Sequence, residues 1–181
     1  MFTKTDIERY FLAEKQESLI FLLIGMAGIV LAVIFFFVLK TSFYKGASVP
    51  LLLLGLVLGT VGYTIYNRSD NDRIRHVYAY DMNPSQLKNT ELPRMKTVMK
   101  SFVVYRYTEV ILAITGICLF LYFRHSLPPV GGESWGGAFW KGFGLTLAVM
   151  AMLALAADYF AEKRGRVYTK GIESFVTKLS S

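Results

Sequence analysis

Arg106 and Glu109 stand three residues apart inside a long apolar run, Phe102 to Phe123. On a helix that spacing puts both side chains on one face, where a guanidinium and a carboxylate can pair. If both lay outside a bilayer, Val110 to Phe123 would leave 14 apolar residues. At the helical rise these cover about 21 Å of a hydrocarbon core that is roughly 30 Å thick. Glu109 is therefore expected to enter the hydrocarbon zone. An ionised side chain there costs at least about 2.5–3.5 kcal/mol and points to a functional site by default. Asp158 lies at comparable height in the last apolar run, and Glu17, Tyr63 and Arg68 sit at the matching ends of two others. These six residues are expected to form one polar cluster. Two chemistries are open to it: an interhelical latch of mutually neutralised ions, or a site for an ion, a proton or a ligand.

Other chemistry-bearing residues lead less far. Gly132-Glu133-Ser134-Trp135-Gly136 matches the G-x-S-x-G pattern of a hydrolase elbow, which works as a strand-to-helix turn on an α/β sheet. Here it falls between two apolar runs with no sheet to carry it, and His125 is the only base nearby. Asn67-Arg68-Ser69 reads as a glycosylation sequon on the wrong side of the membrane. His76 and His125 fall on opposite faces and Cys118 is the lone cysteine, so no intramolecular disulfide can form. Cys118 reads as packing material. No metal-ligand spacing, P-loop or dinucleotide motif occurs, so neither a metal nor a cofactor is expected, and catalysis is not expected.

The elements that must position these residues are set by composition. Of 181 residues 54% are apolar, only 18% are charged, and the mean hydropathy is +0.41. The apolar material lies in solid blocks, which excludes a soluble globular enzyme, a disordered chain and the alternating pattern of a β-barrel. Leu19 to Leu39 is uncharged over 21 residues and Val49 to Tyr66 over 18. Residues 102–123 and 139–160 complete four spans of sufficient length. The first run is too long for a cleavable signal peptide and is followed by no cleavage site. The expected fold is an all-α integral membrane protein, an antiparallel four-helix transmembrane bundle with helical cytoplasmic extensions.

Four spans leave the N-terminal segment, the 67–101 loop and the 161–181 tail on one side. Together these hold fifteen of the 20 Lys and Arg residues, and the other side holds Lys40, Lys45, Arg124 and Lys141. The positive-inside rule puts the fifteen, and both termini, in the cytoplasm of a cell with an inner membrane. Tyr and Trp cluster at both ends of the runs, as an interfacial belt requires: Tyr44, Tyr122 and Trp140 at one end, Tyr63, Tyr66, Tyr105 and Tyr159 at the other. The basic side suits anionic headgroups, and no stacking platform suggests a nucleic-acid site.

Local signals fill in the rest. Thr5-Asp6-Ile7-Glu8 reads as a capping box opening a helix that runs into the first span, with Ile7, Tyr10 and Phe11 on one face. Asn83-Pro84-Ser85 breaks the central segment, and a helix with Pro93 in its first turn restarts near Thr90. Pro128-Pro129, Gly131-Gly132 and Gly136-Gly137 mark a turn-rich outer linker, and the tail is helical around Gly171 to Leu179. Small residues mark helix contacts: Gly25 and Gly28, Gly55, Gly59 and Gly62, Gly116, and the row Gly144, Ala148, Ala151 and Ala154. Such faces allow close backbone approach in lipid, within one chain or between two copies.

This layout is similar in outline to small four-span immunity proteins against pore-forming bacterial toxins, which also keep both termini inside. The resemblance implies a non-enzymatic protein that binds another membrane protein. The alternative from the residues themselves is an oligomeric transporter or channel subunit using Glu109, Arg106 and Asp158 as its ion or proton site.

Overall fold

A computed structural model of the chain describes residues 2–125 and 136–179. The described residues are almost wholly helical, and none of them forms a strand. α1 covers Lys4–Ile34 and closes through a π-helical turn, Phe35–Leu39. α2 covers Ser42–Met82, α3 is the single turn Pro84–Gln86, and a second π-helical turn, Leu87–Glu91, leads into α4, Leu92–Tyr122. α5 covers Gly137–Leu179. Four of these stretches are long and apolar enough to cross a membrane.

Helix boundaries follow local chemistry, with two departures from the sequence signals. α1 starts two residues earlier than the Thr5–Glu8 box implies. Asp6 Oδ2 accepts hydrogen bonds from the Thr3 amide (2.9 Å) and the Thr3 hydroxyl (2.8 Å), so Thr3 and Asp6 make the cap. The expected outer loop Lys40 to Ser48 also shrinks. Lys40 takes a left-handed backbone (φ 56°) that ends the first helix abruptly, and α2 begins at Ser42. α2 then carries Pro50 inside it, buried.

The central segment is a helix far more than a loop. α2 is 41 residues long and α5 is 43, which at the helical rise is about 60 Å, twice the hydrocarbon thickness. Asn83, with its amide bonded to the Ala79 carbonyl at 3.1 Å, stops α2, and Pro84 opens the next turn. Pro93 stands in the first turn of α4. The tail continues α5 as helix to Leu179 rather than restarting at Gly171. Pro128-Pro129, Gly131-Gly132 and the Ser134 elbow lie outside the described residues.

Two compact units emerge, and each long helix contributes to both. One, the polar unit, is 1–20, 62–105 and 157–181; the other, the apolar unit, is 21–61 and 106–156. The core of the polar unit is Phe2, Ile7, Tyr10, Phe11, Ala79, Leu87, Met95, Tyr168, Ile172 and Val176. The Ile7, Tyr10 and Phe11 face is therefore buried against other helices of its own unit. The first helix also gains Phe2, whose carbonyl accepts from the Tyr80 hydroxyl at 3.1 Å.

The apolar unit is held by backbone approach. A Cβ built at Gly25 would lie 2.5 Å from Gly59 N and 2.7 Å from Gly55 O, and one at Gly116 would lie 2.6 Å from Ala148 N. Gly28 faces Leu51 and Gly55 at 3.5–3.6 Å. Gly144 returns the contact to Gly116, Ala148 and Ala151 are buried, and Gly62 is buried in the polar unit. Ala154 is half-buried, and space around a Cβ at Gly59 is open. Two further close approaches have no sequence signal: Gly46 against the Phe139 carbonyl and Gly142 against the Phe43 carbonyl. Outward, the same helices present bare apolar surface, including Phe37, Val38, Leu53, Ile111 and Leu153, each more than half exposed. Water would not tolerate a continuous surface of this kind, and lipid does.

Candidate functional site

The densest buried polar chemistry lies in the polar unit and is centred on Glu91. The π-helical turn Leu87–Glu91 rotates both of its end residues inward, leaving Glu91 0% exposed. Arg94, one turn on, closes on it with two parallel bonds, Nε to Oε2 and Nη2 to Oε1, both 2.7 Å. That is the fork geometry in which charge-assisted bonds are strongest. From α2, His76 (1% exposed) brings Nε2 to 2.9 Å from Glu91 Oε2. Its Nδ1 lies 2.6 Å from the Asp72 backbone oxygen. A carbonyl oxygen only accepts, so Nδ1 carries a proton.

Burial alone would raise the Glu91 carboxyl, but the bonds from Arg94 and the close approach of the His76 ring outweigh it and hold the group down at about 2. Desolvation works against the Arg94 charge too, and the Glu91 partnership more than compensates, so its pKa is raised. The Glu91 carboxylate is thus locked in its ionised form.

Aromatic rings wall this centre. Phe11 stacks on the His76 imidazole at 5.2 Å, and Tyr10 stacks on Tyr168 at 4.0 Å with the planes 5° apart. Burial pushes the phenols of Tyr10 and Tyr168 well above their ordinary range. The Tyr10 hydroxyl points at Met95 Sδ, 3.8 Å away. Arg164 from α5 lies over the Tyr10 ring at 5.6 Å and pairs with Glu17 of α1.

Of the residues expected to cluster, Glu17 is thus joined to Arg164, and Arg68 reaches Glu14 at 3.8 Å and Asp72 at 3.9 Å. Tyr63 is 58% exposed, and Asp158 is half-buried in the polar unit. Arg106 (exposed) and Glu109 (half-buried) belong to the apolar unit. Cys118, expected to pack, is exposed instead. Helical rotation turns its small thiol outward, where lipid receives it without penalty.

Tyr10, Glu14, His76, Glu91, Arg94 and Tyr168 were not legible as a group. Two local signals existed, Asp72 to His76 at i,i+4 and Glu91 to Arg94 at i,i+3, both in a segment dominated by its topological charge. Among the described residues, no three His, Cys, Asp and Glu side chains converge as a metal would need. The buried ions act on one another, and His76 and Glu91 have no solvent access for a substrate. No known protein family, curated protein or solved structure matches the chain.

Proposed function

We propose that this is a small four-span inner-membrane protein that works without catalysis, by binding another membrane protein as an accessory or immunity factor. Both termini are cytoplasmic, and the fold is an antiparallel four-helix bundle with helical cytoplasmic extensions. The fifteen-to-four division of Lys and Arg supports the orientation. The order of contacts supports the antiparallel reading, since Gly25 meets Gly59 while Gly28, further along, meets Leu51.

The observation that carries the functional reading is the destination of the charges. Glu91 is closed by Arg94 and His76, Glu17 by Arg164, and Arg68 is shared by Glu14 and Asp72. Ions arranged this way set helix register, and what such a chain offers outward is surface. Most small-residue faces are also occupied within the chain, so a homo-oligomer would need another surface.

Cross-linking in the native membrane followed by affinity purification tests the reading. The expected result is one stoichiometric membrane protein cross-linked to the chain. Recovery of the chain alone, together with proton or cation flux in liposomes that Glu109→Gln abolishes, would replace it with the transporter reading built on Arg106, Glu109 and Asp158.

A further inference from the structure

Glu14 is the second buried carboxylate of the polar unit, and its surroundings are the reverse of those at Glu91. Its side chain is 11% exposed, yet among the described residues its hydrogen-bond contact is the long one from Ser69 at 3.5 Å. The nearest cation, Arg68 Nη2, is 3.8 Å away and is shared with Asp72 at 3.9 Å. The nearest hydroxyl, Ser69 Oγ, lies 3.5 Å from Glu14 Oε2. A hydroxyl has one proton, and Ser69 gives its proton to the Ile65 carbonyl at 2.7 Å. Toward an ionised Glu14 Ser69 therefore offers only this long contact, while its Oγ keeps lone pairs that can accept from a protonated Glu14.

We propose that Glu14 is a proton-responsive element: in mild acid its carboxylate takes one proton from water and donates it in a hydrogen bond to Ser69 Oγ, which leaves Arg68 to Asp72. No other bond need break, and the proton is the only species taken up. The groups facing Glu14 come from all four long helices: Tyr10 on its own helix, Arg68, Ser69 and Asp72 on α2, Arg94 on α4 and Arg164 on α5. Burial is the largest influence on the carboxyl and raises it above 4.5, against the three guanidiniums, which lower it. Asp72 adds a like charge that raises it further.

A carboxyl raised in the folded state stabilises the fold at low pH, and that contribution is lost as pH rises through its folded value. The Glu91 clamp is insensitive in this range, because it releases only toward about pH 2.

The test uses the full chain in detergent micelles with carbon-13 labelled glutamate, read by carbonyl infrared and NMR titration. The expected result is a carboxyl with a midpoint above 4.5 whose signal is missing in Glu14→Gln. The thermal midpoint of the wild type should rise as pH falls through the Glu14 midpoint, a rise absent in Glu14→Gln. Ser69→Ala, which removes the acceptor, should move the Glu14 midpoint to lower pH, and Arg68→Gln should move it higher. A purely structural role would leave both midpoints in place. Titration of Glu14 at or below 4.5, or an unchanged midpoint in Ser69→Ala, overturns the proposal.

Discussion

The two units of this molecule are held together by opposite means. In the polar unit, large side chains and paired ions fill the interior: the Tyr10–Tyr168 stack, the Phe11–His76 stack and the Glu91 clamp. In the apolar unit the interior is nearly devoid of side chains at its closest points, and glycine lets one backbone meet another at Gly25, Gly46, Gly116 and Gly142. The difference is one of solvent. Water drives aromatic and aliphatic groups inward and lets ions pair at modest cost, whereas lipid tails give no inward push and reward close backbone contact. A single helix such as α2 follows one rule at its Gly55 end and the other at its His76 end.

Breaking the clamp should give the largest effect. Glu91→Ala leaves half-buried Arg94 and buried His76 without their carboxylate and is expected to destabilise the chain by about 3 kcal/mol, measured by denaturant unfolding in micelles. A loss below about 1 kcal/mol would mean that the clamp is not what holds the polar unit. Acid should act on the same group. Because Glu91 is held at about 2 against an ordinary 4.5, its contribution is present above 4.5 and is lost as pH falls toward 2. Tyrosine fluorescence from the polar unit should report that loss, and Glu91→Gln should lack it.

The apolar unit is expected to fail by overpacking. Gly46→Ala and Gly142→Ala drive a methyl into the Phe139 and Phe43 carbonyls, at a cost of about 1–3 kcal/mol. Gly59→Ala, with open space around the added methyl, should stay within about 0.5 kcal/mol of the wild type. Equal losses at Gly46 and Gly59 would remove the claim that backbone approach holds this unit. The smallest effect belongs to the surface. Asp81→Asn removes the half-exposed partner of Lys4 and should cost less than about 1 kcal/mol.

The spans were legible in the sequence because twenty apolar residues have one physical meaning, and Gly25, Gly55, Gly116 and Gly144 because small residues in a span have few uses. The polar unit was legible only in part. Asn83-Pro84 and Pro93 gave its punctuation, and Ile7, Tyr10 and Phe11 one buried face. Its centre was hidden because Glu91, His76 and Tyr168 lie far apart in sequence and meet only when three helices extend well beyond membrane length. Their charges, counted for topology, looked solvated. A π-helical turn that rotates Glu91 inward has no periodic signature, since it adds one residue to a turn without changing the residue types. Gly46 and Gly142 carried no signal either, because each lies near a helix start where glycine reads as punctuation.

Sidedness is the premise on which orientation, the cytoplasmic polar unit and the partner reading all depend. It is tested most directly with single cysteines in a Cys118→Ser background, probed in intact cells with a membrane-impermeant maleimide. Thr41→Cys should label at once, whereas Thr90→Cys and Ser174→Cys should label only after the membrane is opened. Labelling of Thr90→Cys or Ser174→Cys in sealed cells, with Thr41→Cys protected, would contradict the account.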